Sequence, residues 1–360
     1  MQEMDQENAG RAGQISGPTA NRRTYRILFS AALAALLLVM IASLCIGRYS
    51  VRVSDCVKIL LSGIFDFQET WTKTMYNVVM VLRLPRVLTA ALVGAGLAIS
   101  GAAYQSMFKN PMVSPDILGV SSGASIGACL AILLGLGSVV TQSWAFIGGM
   151  AAVLITAAVP RILKSSSPVL LVLAGIITGG LMSSALGIIR YIAMSAFPDS
   201  TILADMTYWT MGSFSKASAG DLKYIAPVVI LSGGVLVCIR YRLNVLSLGE
   251  KEAKTLGVNV SRLQLLIILA STLVTASCVC ISGTIGWVGL VVPHLSRMAV
   301  GPDNRKMLPF SLLLGAMFMV VVDTLCRSIS SAEIPVSIIT GLVGAPFYFY
   351  LLYRQRMSMR

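Results

Sequence analysis

Charge is scarce in this sequence, acids are scarcer still, and histidine is almost absent. Only 12% of the 360 residues are Asp, Glu, Lys or Arg, and only 15 are acidic, against a charged fraction of roughly 25% in soluble domains. With 56% hydrophobic residues and a mean hydropathy of +0.81, this poverty of charge excludes a single water-soluble core. One histidine, His294, cannot build a histidine-rich metal centre. The seven cysteines lie mostly inside apolar runs without metal-ligand spacing, so they read as small packing residues and no metal or cofactor is expected. No Gly-Lys pair occurs anywhere. The chain therefore lacks a phosphate-cradling loop of the G-x-x-x-x-G-K-[ST] kind and is not expected to hydrolyse ATP. The 28 basic residues give a formal charge of +13, but they are scattered between apolar runs and not gathered with aromatics on one face. Nucleic acid is not an expected partner.

What the sequence does have is long uncharged stretches, and these predict an all-α polytopic membrane protein with about ten transmembrane helices. The expected spans are 27–46, 87–108, two within the charge-free 117–160, then 168–189, 224–239, 263–282, a short one at 287–300, 307–326 and 334–353. Most approach the ~20 residues that cross a bilayer as a helix. Residues 1–24 are polar and read as a disordered tail, 25–356 as the membrane domain, and 357–360 as a second short tail. Residues 47–76 suit an extramembrane segment with a short surface helix, and the aromatic 190–222 a helix at the membrane interface.

Ten spans put both termini on one side. The larger share of Lys and Arg falls on that side, so both termini are expected on the cytoplasmic side. Five spans per half imply two inverted five-helix halves. The pair Ala98-Ile99-Ser100-Gly101-Ala102 and Cys280-Ile281-Ser282-Gly283-Thr284 is a weak echo of that repeat.

Polar chemistry gathers at the end of one apolar, glycine-rich stretch, Ser282 to Arg297, which contains Pro293 and His294. Together with Leu82-Arg83-Leu84-Pro85-Arg86, Gln105, Asn110-Pro111, Pro115-Asp116, Ile117-Leu118-Gly119, Ser122-Gly123-Ala124 and Leu173-Ala174-Gly175, it resembles the permeases of iron-siderophore, haem and cobalamin ABC importers. The likeness continues through Trp209, Gly212-Ser213, Leu248-Gly249, Leu256-Gly257-Val258, Asp323, Arg327, Glu333, Pro335 and Gly344-Ala345-Pro346. Trp287, Met112-Val113 and Ser337 depart from the usual Phe, Leu-Ala and Gly.

The resemblance implies a dimeric pore, formed with a second copy or a close paralogue and embedded in membrane lipid. It also implies a cytoplasmic ABC ATPase dimer and an extracytoplasmic substrate-binding protein. A ferric siderophore is the expected cargo, with haem or cobalamin behind it. Arg83, Arg86 and Arg327 are expected at the outer mouth, paired with carboxylates of the binding protein, because these bases run against the positive-inside trend. Within 241–261, Leu248, Gly249, Glu250, Ala253, Leu256 and Gly257 are expected to press on the ATPase, since leucines alternate with charges there. Ser165, Ser166, Ser167 and Pro168 are expected at an inner gate.

Two other classes fit parts of the pattern. An ion-coupled secondary carrier needs acids inside the membrane, and only Asp323 lies within an expected span. Gly119-Val120-Ser121-Ser122-Gly123 and Gly123-Ala124-Ser125-Ile126-Gly127 fit G-x-S-x-G, which with His294 would suit an intramembrane serine protease. Small residues arranged for close helix contact explain the same pattern.

Overall fold

The computed structural model describes residues 21–63, 65, 70–164, 168–330 and 332–358. Its first helix, α1 (Arg22–Cys45), begins where the Asn21 side chain accepts from Arg22 N. Residues 22–24, expected in the tail, thus already belong to the helix, and 1–20 lie outside the described residues. The surface helix α2 (Val53–Leu61) follows, burying Cys56 and Ile59. A short helical lead-in at Lys73–Tyr76 and a π-helical stretch at Asn77–Arg83 run directly into α3 (Leu84–Phe108). Pro85 sits directly after the π-helical stretch, at the second residue of α3. Lys109, at φ 51°, ends the helix just ahead of Asn110-Pro111.

A 3₁₀ turn at Pro115–Leu118 leads to α4 (Val120–Leu133), α5 (Ser138–Ile162), α6 (Pro168–Ala196) and α7 (Ile202–Met211). The second half opens with α8 (Ala219–Cys238), started by a capping box between Ser218 and Asp221. Next come α9 (Arg240–Leu248), α10 (Glu250–Thr255), α11 (Val260–Ser282), α12 (Val288–Val300), α13 (Asn304–Ile329) and α14 (Val336–Ser358). Among the described residues, seven helical stretches are long and apolar enough to cross a membrane, and shorter apolar helices occur at Val120–Leu133, Val288–Val300 and Val336–Leu351. Among the described residues there is no strand. The protein is an all-α polytopic membrane protein.

The centre of the bundle is α3, α11 and α13. Lipid offers no hydrophobic drive to pair helices, so close backbone approach and hydroxyl contacts do that work. Where α3 meets α13, a Cβ added to Gly94 would strike the Gly315 carbonyl and stand 2.6 Å from Met319 Cβ. Where α3 meets α11, Ser100 Oγ lies 2.9 Å from Thr275 Oγ1, and Tyr104 OH lies 3.4 Å from Thr272 Oγ1. The flanks are apolar and exposed: Ile176, Ile177 and Leu181 on α6, Leu342 and Phe349 on α14. Such faces suit hydrocarbon or a second copy of the chain.

Each half places a short helix after a long one, α4 after α3 and α12 after α11, and each short helix is entered through a left-handed residue. These are Gly119 at φ 82° and Trp287 at φ 73°. The echo seen in the sequence does not mark this correspondence: Gly101 lies well inside α3, whereas Gly283 stands just past the end of α11. Small residues recur wherever helices touch, so a five-residue match arises without equivalence of position.

Candidate functional site

The candidate functional residues gather at the two ends of the bundle. At the end that carries Arg22 and Ser358, α9 and α10 form a bent pair of short helices. Leu243, Leu246 and Ala253 are buried, packed in one cluster with Met307 and Leu308. Leu248 and Leu256 point the other way and are 64% and 62% exposed. Gly249, at φ 151°, makes the bend, and a Cβ there would run into the Glu252 carboxylate. Gly257, at φ 79°, closes the pair, and Glu250 accepts from Gln264 Nε2 at 3.2 Å. Of the six residues expected at this surface, two leucines face outward, Ala253 anchors, two glycines turn the chain and Glu250 ties the segment to α11.

Polar contacts continue inward from there. Asn244 Nδ2 donates to Asp303 Oδ1 at 2.6 Å, and Asn304 N donates to Asn244 Oδ1 at 2.8 Å. Ser106 Oγ, on α3, donates to Asn304 Oδ1 at 2.7 Å. Asp303 also caps α13 and pairs with Arg305 at 3.0 Å. Partial burial pushes its carboxyl up, but hydrogen bonds from Arg305 and Asn244 outweigh that and hold it below the usual carboxylate range. Beside Ser106 on α3, Gln105 donates to the Gly289 and Leu290 carbonyls at 3.3 Å and accepts from Arg297 Nη2 at 2.8 Å.

At the opposite end stand the three arginines, and they do not form a free rim of charge as expected. Arg83, Arg86 and Arg327 are only 7%, 9% and 8% exposed. Arg83 donates to the carbonyls of Leu44 (2.7 Å), Cys45 (3.2 Å) and Tyr49 (2.6 Å). Arg327 donates to Ile46 O at 2.7 Å and to the Ser43 carbonyl. Two guanidinium groups thus wrap the C-terminus of α1, whose last carbonyls have no partners within the helix. Arg86 Nη2 meets Asp323 at 2.8 Å and its Nη1 meets Glu333 at 2.9 Å. Arg327 Nε stands 3.7 Å from Asp323, an ion pair without a hydrogen bond. Of this cluster, only Glu333 has a side chain appreciably open to solvent.

The loops at this end are stitched to α7. Val336 N donates to Gly212 O at 2.9 Å, Thr284 Oγ1 to Thr210 O at 2.5 Å, and Ser337 Oγ to Thr284 O at 2.6 Å. Ser337, one of the departures from the family pattern, therefore adds a loop contact. A cavity of about 390 Å³ lies beside α7, walled by Tyr208, Trp209, Thr141 and Gln142.

His294 is buried, and its Nε2 has no hydrogen-bond partner among the described residues. Ser125, in one of the G-x-S-x-G matches, donates instead to Ser121 O at 2.8 Å. Gly123 in the same stretch packs against Gly148 of α5. Ser165, Ser166 and Ser167 lie outside the described residues, and Pro168 begins α6.

The sequence reading missed Asn244, Asp303, Asn304 and Ser106 as a connected set. Asp303 ahead of an apolar run is a helix-start signal that could have drawn attention to the site.

Comparison with known proteins matches residues 35–354 to the model of the FecCD transport family. The molybdate import system permease protein MolB of Haemophilus influenzae is 39% identical over 329 residues, covering 91% of this chain and 96% of that one. The hemin transport system permease protein HmuU of Yersinia pestis is 38% identical over 305 residues, covering 81% and 89%. A solved structure, described as an inward-facing metal-chelate type ABC transporter, superposes with a TM-score of 0.79 at 39% identity, covering 91% of this chain and 99% of that one.

Proposed function

The chain belongs to the FecCD transport family and is an ABC importer permease, and from that premise we propose that two copies of it form the membrane conduit of an ATP-driven importer for an iron chelate. What carries this reading is the outward pair Leu248 and Leu256, on a segment whose other face is locked into the bundle. Two exposed leucines flanking a rigid bend are a surface for a partner, and the chain has no nucleotide loop of its own. The partner is a cytoplasmic ATPase dimer, which puts the chain termini in the cytoplasm of a prokaryotic cell as well. Replacing Leu248 and Leu256 with Asp is expected to abolish co-purification of the ATPase while the permease still inserts; a complex that survives counts against the assignment.

A ferric siderophore is the first cargo to test, followed by haem, because HmuU is described as a hemin permease and the solved neighbour as a metal-chelate transporter. Molybdate is a second reading, favoured by the 39% identity to MolB. Uptake into vesicles holding permease, ATPase and the binding protein encoded beside them distinguishes these cargoes. Uptake of molybdate alone would remove the iron reading.

The extracytoplasmic binding protein docks at the arginine end. There a carboxylate of the partner takes the place of Glu333 on Arg86, the least enclosed ion pair of the cluster. Glu333→Gln should then tighten docking by about fivefold, the order of one part-exposed ion pair; weaker or unchanged binding argues for a role confined to the loop. Ser165, Ser166, Ser167 and Pro168 are assigned to the inner gate for their small side chains. In the carrier reading the coupling acid is Asp323, yet Arg86 and Arg327 already hold it. Accumulation without the ATPase would revive that reading.

A further inference from the structure

The segment that faces the ATPase is fastened to the bundle in two different ways. Leu243, Leu246 and Ala253 bury apolar surface, which is non-directional and would let the segment slide over its bed. Asn244 is directional. It spends both ends of its amide on the start of α13, donating to Asp303 Oδ1 at 2.6 Å and accepting from Asn304 N at 2.8 Å. That backbone N–H is among those a helix start leaves without an internal partner, so the contact replaces water and does not compete with the helix.

Asn304 is only 3% exposed and passes the connection on, its Oδ1 taking the Ser106 Oγ hydrogen bond at 2.7 Å. One side chain on the partner-facing segment is thereby bonded to the first residues of α13 and, through them, to the last turn of α3. These two helices are themselves one body. Gly94 and Gly315 bring their backbones together in the middle. Arg86 and Asp323 join them at 2.8 Å at the opposite end.

We propose that Asn244, Asp303 and Asn304 are positioning residues for transport, a clasp that makes α3 and α13 follow the partner-facing segment as one unit. A push delivered at Leu248 and Leu256 then moves this central pair instead of being absorbed by slippage across the apolar bed. The proposal rests on the reading of residues 241–261 as the ATPase-facing segment, and its test separates the two.

The measurement is cargo transported per ATP hydrolysed by the full complex of permease, ATPase and binding protein in vesicles. Asn244→Asp sets a second carboxylate against Asp303. It should leave assembly and ATP hydrolysis in place while transport per ATP falls by about fivefold, within the range that network substitutions produce. Asn244→Ala, which removes the clasp without adding charge, should act in the same direction. The double swap Asn244→Asp with Asp303→Asn restores a donor facing an acceptor and keeps a competent helix cap, so transport per ATP should recover. An unchanged ratio in an assembled Asn244→Asp or Asn244→Ala complex overturns the proposal. So does a parallel fall of transport and hydrolysis with the ratio kept, the mark of a merely structural contact. The Leu248→Asp, Leu256→Asp complex reports on the underlying reading alone: if it still assembles, that reading fails whatever the ratio does.

Discussion

Arg86 holds a carboxylate that has no access to water. Asp323 is fully buried and meets Arg86 at 2.8 Å, with Arg327 as a looser second partner. Removing one member of such a pair leaves an uncompensated charge, whereas replacing both with apolar groups does not. Arg86→Ala is therefore expected to cost ~3–5 kcal/mol, read from thermal unfolding in detergent. Asp303 makes a prediction in pH. Its folded carboxyl lies below the ordinary range, so its stabilisation is complete above the unfolded value of about 3.9 and is lost as pH falls through the folded one. The difference in thermal midpoint between the wild type and Asp303→Asn should shrink as pH is lowered from about 6 to about 3. A constant difference would mean that the carboxylate charge is not what holds the contact.

Single elements were the most legible part of the sequence, because a run without charge and a glycine or proline that ends it are local signals. The stops after α3, the surface helix α2 and the bent pair α9 and α10 all follow from such signals. The direction of a side chain is not local. Counting bases identified Arg83, Arg86 and Arg327 as unusual, yet only the fold reveals that two of them serve the carbonyls at the end of α1, more than thirty residues away in sequence for either one. The contact of α3 with α13 lends itself to a direct trial. A Cβ on Gly315 would strike the Gly94 carbonyl and stand 2.6 Å from Ala98 Cβ. Gly315→Ala should cost ~1–3 kcal/mol by overpacking. Gly234→Ala on α8, with no atom within 4 Å of the added carbon, is the control and should be close to neutral.

At the scale of the whole molecule, the sequence yielded the helical class and the five-and-five division, but not the true register between halves. That register is carried by backbone shape, in the paired left-handed residues ahead of α4 and α12, and not by residue identity. The clasp at Asn244 was hidden for a related reason. Asn244 and Asp303 stand some sixty residues apart, and neither belongs to a motif. The proposed conduit makes a prediction for the complete device: the permease purified alone in vesicles should neither concentrate cargo nor consume ATP, and accumulation by the isolated chain would refute the reading.

The two elbows that mark the register fail in opposite ways. At Gly119 there is room, with the nearest atom 3.7 Å from an added Cβ, but the φ of 82° resists any side chain. At Trp287 the chain already tolerates a φ of 73° with its bulkiest residue, whose ring is wedged over Gly344. Glycine at 287 would ease the backbone and remove the ring that packs on Gly344 of α14, while tryptophan at 119 would strain the backbone. Two halves that share an architecture have therefore stopped being interchangeable part for part, and grafting one elbow onto the other should damage both.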